Sequence, residues 1–229
     1  MGGGVIVRTI RRAEPDVIAG LGAAGVATVH EAGAAVLLEP DIEPIQQGSR
    51  IAGPAVTVSC PPGDNLMIHA AVEMIEPGDV LVVATTEPSD NGSFGELLAV
   101  SVAGRGCVGL ITNGGVRDVA DLRRMGFPVW ARRVHAAGTS KTGAGSVNLP
   151  VVCAGVEVRP GDVVVADDDG VAVVERERAG EVLEMARERL LKEEATRKRL
   201  ASGELGVDLY GFRSRLDELG VRWVDTPEE

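Results

Sequence analysis

Two short runs, Val80-Leu-Val-Val-Ala84 and Val108-Gly-Leu-Ile-Thr112, are apolar with no polar residue alternating through them. A strand with one wet face alternates apolar and polar residues, whereas an unbroken apolar run suits a strand covered on both faces, as in a parallel sheet. Around these runs the period changes. Phe94 to Ala103 and Val119 to Met125 read as helices, and Pro128-Val-Trp130 begins a further strand. Strand and helix therefore alternate from 80 to 130, the pattern of a parallel α/β layer.

The flanks extend this layer. Residues 14 to 39 read as helical segments broken at Gly20 and at Gly22 to Gly25, Ile51 to Ser59 as a strand, and Asn65 to Ile75 as a helix. From Val151 the character changes to short strands, Val151 to Val158, Asp162 to Ala166 and Val171 to Val174, separated by turns at Arg159-Pro-Gly161 and Asp167-Asp-Asp-Gly170. A long helix is expected from Arg178 to Ala201, stopping at Gly203, and its narrow face carries Leu183, Ala186, Leu190, Glu193, Arg197 and Leu200. Glu193 thus sits where an apolar residue is expected. The expectation is an α/β core over 1–177 and a C-terminal helix and tail over 178–229. With aromatics at 3% and 30 glycines, Val, Ala, Leu and Ile must build the core.

Composition removes several function classes. A net charge of −11 argues against nucleic acid, whose phosphates demand basic patches. No stretch approaches the roughly 20 apolar residues that span a bilayer, and Met1 to Arg12 lacks the apolar core and cleavage site of a signal peptide. Cys60, Cys107 and Cys153 are far apart and form no CxxC pair, consistent with reduced, buried thiols. A cytoplasmic protein with neither nucleic-acid nor membrane partner is expected.

Two segments carry chemistry, Gly92-Ser-Phe-Gly-Glu-Leu-Leu-Ala99 and Asn113-Gly-Gly-Val-Arg-Asp118. Both follow predicted parallel strands at their C-terminal ends, where open α/β sheets place ligands. The first opens a helix whose unpaired backbone N–H groups around Gly95 to Leu98 suit a carboxylate. The second sets a cation beside an anion, Arg117 and Asp118. A plainer account serves equally well from the residues alone: Ser93 with Glu96 forms a capping box, and Asp118 with Asp121 another helix start. Glu193 likewise reads as an exposed carboxylate paired with Arg197 at i, i+4. His30, His69 and His135 show no metal-pair spacing and read as structural. Asp167 to Gly170 reads as a turn rather than a calcium loop. No G-x-S-x-G, P-loop or S-adenosylmethionine glycine loop is present.

The spacing Glu96-x20-Arg117-Asp118 resembles the Asp-x20-Arg-Asp metal-site motif of the class II pyruvate aldolases that act on 4-hydroxy-4-methyl-2-oxoglutarate and 4-carboxy-4-hydroxy-2-oxoadipate. That family shares its layered β/β/α fold with the regulator of ribonuclease E activity A (RraA) proteins. The resemblance runs through Pro62 to His69, Pro77 to Thr85, Gly126 to Trp130, Gly145 to Asn148, Val151 to Gly155, Pro160 to Val171 and Gly203 to Asp208. It departs at Glu96, where Asp is usual, and at Phe212, where Met is usual. The C-terminal extension and the intact Arg-Asp pair favour the enzyme over a non-catalytic ribonuclease-binding regulator; a 2-oxo-acid decarboxylase is the other alternative.

The resemblance implies a retro-aldol cleavage that releases pyruvate, with Mg²⁺ or Mn²⁺ as electron sink and oxaloacetate decarboxylation as a side activity. It implies Asp118 as a direct metal ligand, Glu96 acting through a coordinated water, and Glu193 doing so from a neighbouring subunit of a trimer or dimer of trimers. Arg117 would neutralise the developing enolate oxygen, and metal-bound water rather than a side chain would be the base. The amides of Gly95, Glu96, Leu97 and Leu98 would hold the pyruvyl carboxylate, and Lys141 a distal one. A Schiff-base route is unattractive, because only Lys141, Lys192 and Lys198 exist and the last two lie on the charged helix.

Overall fold

A computed structural model describes residues 4–226, so the extreme ends of both expected parts lie outside the described residues. The strands are β1 (Val5–Ile6), β2 (Ala35–Leu37), β3 (Glu43–Pro44), β4 (Ile51–Cys60), β5 (Val80–Thr85), β6 (Gly92–Phe94), β7 (Gly109–Val116), β8 (Val129–Val134), β9 (Ser146–Val147), β10 (Val151–Cys153), β11 (Val156–Val158), β12 (Val163–Asp167) and β13 (Gly170–Val174). The helices are α1 (Pro15–Ala24), α2 (Val26–Glu31), α3 (Leu66–Ala71), α4 (Glu96–Ala103), α5 (Val119–Met125), α6 (Ala179–Ala201), α7 (Gly206–Leu209) and α8 (Phe212–Glu218). The fold is the layered α/β arrangement expected, with a long C-terminal helix.

The main sheet runs in the order β2-β13-β12-β4-β5-β7-β8-β3. Its centre, β4-β5-β7-β8, is parallel. The long β4 joins two regimes, pairing antiparallel with β12 through Ile51 to Pro54 and parallel with β5 through Ala55 to Cys60. The hairpin β10–β11 stands apart from that sheet and turns through Ala154 and Gly155, both at positive φ.

The unbroken apolar run of β5 is explained by its two faces. Leu81 and Val83 pack with α3, α4 and α5 residues such as Ile68, Leu98 and Leu122. Val80, Val82 and Ala84 pack on the opposite side against Val151, Cys153, Val164 and Val171, which come from other strands. A third cluster covers the antiparallel half, where Val163, Val165 and Val174 meet Leu21, Val29, Val182 and Leu183. Within the second cluster, the Trp130 indole N–H donates to the Asp167 carbonyl at 2.9 Å.

Three expectations need correction. Val151 to Val158, read as one strand, is the β10–β11 hairpin, because Ala154 and Gly155 turn the chain back on itself. Gly20 and Gly22 do not break the first helix, which runs through both to Ala24; the break is at Gly25, with φ of 83°. Those glycines are contact points, since a Cβ on Gly22 would lie 2.9 Å from the Ala52 Cβ. Residues 35–37, read as helical, form edge strand β2 on β13. The Asp167 to Gly170 turn is a turn as expected, and the carboxylates of Asp167 and Asp168 are occupied by the protein itself. Asp167 accepts from the amides of Val26 and Asp169, and Asp168 from that of Gly48.

By contacts the chain divides after Arg187, within α6. The buried residues of that helix, Ala179, Val182, Leu183 and Ala186, all precede the division. The second unit holds the rest of α6 with α7 and α8, and exposes Leu191, Tyr210, Phe212 and Trp223. Among the described residues, no helix is long and apolar enough to cross a membrane.

Candidate functional site

Local pairing brings the two chemical segments together. β6 adds in parallel to the last residues of β7, Gly92 opposite Gly115 and Phe94 opposite Val116, and the Arg117 amide donates to the Phe94 carbonyl at 2.9 Å. The starts of α4 and α5 therefore lie side by side at the end of β7. Helical geometry leaves the first amides of α4 without acceptors inside the helix. One is satisfied from outside: the Glu96 N–H donates to Asp118 Oδ2 at 3.2 Å. The Ser93–Glu96 capping box does not form, whereas the helix start expected at Asp118 is where α5 begins. The N-cap of α4 is Gly95, and Ser93 Oγ instead donates to the Gly115 carbonyl. Asp118 occupies the N-cap position of α5 but makes no side-chain bond to that helix, and Asp121 pairs with Arg124.

Asp118 has φ of 56° and ψ of 36°, the left-handed region that Asp tolerates better than most residues but still at a cost. This conformation accompanies the turn of its carboxylate towards α4. The same carboxylate lies 3.6 Å from Arg117 Nε. Glycines permit the approach. A Cβ on Gly95 would sit 2.3 Å from Asp118 Oδ2, and one on Gly92 would meet the His135 carbonyl at 2.3 Å.

The result is a cleft of about 130 Å³. Gly95, Leu97 and Leu98 line one side, Arg117 and Asp118 another, and Lys141 enters from the loop after β8. His69, read as structural from the sequence, lines it as well, and so does Asn65. Asn65 is buried, with its Nδ2 donating to the Ser93 carbonyl at 2.9 Å, while its Oδ1 is buried without a hydrogen-bond partner among the described residues. Burial, and then the nearby Lys141 charge, lower the His69 pKa, which keeps its imidazole mostly neutral near pH 7.

Two expected site residues stand differently. Glu96, half-buried at the start of α4, is not among the lining residues. Glu193 belongs to the C-terminal unit, where its carboxylate pairs with Arg189 at 2.8 Å rather than with Arg197, which pairs with Glu194. Among the described residues, no group of three or more His, Cys, Asp or Glu side chains is gathered for a metal ion.

The arrangement is a cleft on an α/β sheet, with one guanidinium, one carboxylate, one ammonium and a helix start converging on it. The chain belongs to the RraA-like family, Aldolase/RraA, whose model matches residues 25–173. A protein of Halalkalibacterium halodurans, provisionally named a 4-hydroxy-4-methyl-2-oxoglutarate aldolase, is 31% identical over 76% of this chain and 82% of its own length. A Burkholderia multivorans protein with the same provisional name is 36% identical over 62% of this chain and 86% of its own. Among solved structures, Streptomyces coelicolor RraAS2, described as an unusual member of the RNase ES inhibitor RraA family, superposes with a TM-score of 0.73. It is 29% identical, over 82% of this chain and all of that one.

Proposed function

We propose that the chain is a metal-dependent pyruvate aldolase that cleaves a 4-hydroxy-2-oxo acid with one or more distal carboxylates, 4-hydroxy-4-methyl-2-oxoglutarate or 4-carboxy-4-hydroxy-2-oxoadipate. The observation that carries this reading is the Arg117–Asp118 pair, held at the mouth of the cleft beside the first turn of α4. In the cleavage the C4 hydroxyl loses its proton, C4 becomes a carbonyl and the C3–C4 bond breaks. The released pair delocalises onto the 2-oxo oxygen as an enolate, which takes a proton at C3 to become pyruvate. Stabilising that oxygen is the main electrostatic task.

Arg117, always cationic, faces this task with a planar fork of donors. The Leu97 and Leu98 amides, in the first turn of α4, orient the pyruvyl carboxylate. Lys141 receives the distal carboxylate, and the neutral His69 beside it adds a polar contact without competing charge.

Asp118 suits a hard cation: the Glu96 amide and Arg117 both meet its Oδ2, and a sparse carboxylate set matches ions that keep several waters. It would hold the ion directly, with Glu96 of the same chain acting through water and Glu193 of the partner subunit doing likewise. When bound, Mg²⁺ or Mn²⁺ supplies a sink for charge on the 2-oxo oxygen. The exposed apolar side chains of the C-terminal unit, Leu191 and Trp223 among them, support association of copies into a trimer or dimer of trimers. The same enolate stabilisation would serve oxaloacetate decarboxylation.

The test is pyruvate release from both aldols, followed through lactate dehydrogenase with Mg²⁺ or Mn²⁺ and again with EDTA, and with oxaloacetate in parallel. Metal-dependent release from either aldol is expected. Activity on oxaloacetate alone would make the protein a decarboxylase. Inactivity on all three would favour a non-catalytic role like that in the description of RraAS2.

A further inference from the structure

Between β8 and β9, residues 135–145 form neither helix nor strand, and one isolated bridge joins Ser140 to Asp64. This loop brings Lys141 to the cleft. An irregular loop keeps a fixed course only where other groups satisfy its backbone. Here one buried side chain does much of that. Asp64 is 3% exposed. Its Oδ2 accepts from Ser140 Oγ at 2.5 Å, from the Thr142 amide at 2.7 Å and from the Gly143 amide at 2.9 Å. The residues on both sides of Lys141 are thus tied to a single oxygen. The other oxygen, Oδ1, accepts from the Leu66 amide at the start of α3, the helix that carries His69.

Backbone bonds close the seam, Asn65 N–H to the Ser140 carbonyl at 3.1 Å and Ser140 N–H to the Gly63 carbonyl at 2.8 Å. Gly143 fits with no space for a side chain, since a Cβ there would lie 2.8 Å from Pro61 Cγ. Burial by itself would raise the Asp64 pKa, but the hydrogen bonds from Ser140 and the amides of Leu66, Thr142 and Gly143 outweigh it and hold the carboxyl at about 2. Across the working range of any assay near neutrality it remains an anion, and its bonds to the loop are charge-assisted.

We propose that Asp64 is a positioning residue that sets the preference for a substrate with a distal carboxylate, by fixing the loop that presents Lys141 across the cleft. The proposal rests on the aldolase reading above. A lysine ammonium is a point charge on a flexible stem, so its discrimination between acids depends on where its backbone is held. Asp64 touches neither substrate nor metal in this scheme; it acts through the loop.

The test compares kcat/KM for 4-hydroxy-4-methyl-2-oxoglutarate with that for 4-hydroxy-2-oxopentanoate, which lacks the distal carboxylate. The full-length chain is measured alongside Asp64→Asn, Ser140→Ala, Lys141→Ala and the Asp64→Asn/Lys141→Ala double variant. The diacid-to-monoacid ratio should fall about tenfold in Asp64→Asn and about threefold in Ser140→Ala, through KM for the diacid rather than kcat. Ser140→Ala spares the bond to Leu66 and so reports on the loop alone. Once Lys141 is replaced, Asp64→Asn should lower the ratio no further. Equal losses on both acids, or an added loss in the double variant, would overturn the proposal. Hydrogen exchange gives a readout independent of activity. The Thr142 and Gly143 amides should exchange faster in Asp64→Asn while those of β5 stay protected, and unchanged loop protection would also overturn it. A full-length chain that cleaved neither acid would overturn the aldolase reading itself, and an exchange result as expected would mark that as the step that failed.

Discussion

At Gly95 the close packing of the cleft becomes testable. Its φ of −151° is open to any residue, so alanine there meets no backbone strain. What it meets is the Asp118 carboxylate, 2.3 Å from the new methyl, and Arg117 Cγ at 3.1 Å. Both side chains are partly exposed and can swing away, which spares stability but misplaces the pair. Gly95→Ala should therefore lower kcat by about a hundredfold, the order a misplacement of roughly 1 Å costs. The midpoint of thermal unfolding should move little, and near-normal turnover would show that the close approach is not needed. Arg117→Ala should lower kcat on either aldol by about a hundredfold to a thousandfold, the scale of losing one donor to a developing oxyanion. Urea unfolding should be nearly unchanged, because Arg117 is 44% exposed; retained turnover would remove its enolate role. Arg117, Asp118 and Gly95 were legible as cleft residues because each sits in a local segment with its own signal, whereas Lys141 came only through the family resemblance. Asn65 was not, because its place depends on bonds to Ser93 and Ser140, far along the chain. Nor was the bond from Asp118 to α4, where a tertiary contact displaced the local capping pattern.

Elements with a burial pattern or caps of their own were readable and short edge elements were not. β5 and α5 match the sequence reading within a residue, since each is fixed by burial or by its caps. β1, β3 and β9 have two residues each, too few for any period, and exist because neighbours supply their hydrogen bonds. α1 shows the same override in a helix. Its two glycines each cost helix propensity of about 1 kcal/mol relative to alanine, yet both face packed neighbours. Gly22→Ala would set methyl against methyl at 2.9 Å on β4, with no rotamer to relieve it. It should destabilise by about 1–3 kcal/mol in urea unfolding despite the gain in propensity. Gly20→Ala meets only the end of Leu183, at 2.7 Å, and that side chain can turn aside. Its loss should be the smaller of the two. A stabilising Gly22→Ala would mean that α1 can move off β4 at little cost.

For the molecule as a whole, the three cysteines report how cooperatively the sheet opens. Cys60, Cys107 and Cys153 are free thiols, all buried. Burial raises each pKa: Cys60 to about 12, with the Asp64 charge adding to the effect, Cys107 to about 11 and Cys153 to about 12. The thiolate is the reactive form, and even for Cys107 it is roughly one part in a thousand at pH 8. A thiol-specific disulfide reagent at that pH should therefore label none of the three on the native protein within minutes, and all three in denaturant. Slow native labelling should then follow opening rather than intrinsic thiol chemistry. Cys107 and Cys153 lie in clusters on opposite faces of the parallel layer, so equal rates for the pair would mean that both faces open together. Cys60 ends β4, next to the segment that carries Asp64. Selective labelling of Cys60 would instead locate a local opening there, and would predict that Asp64→Asn speeds its reaction while leaving the other two unchanged.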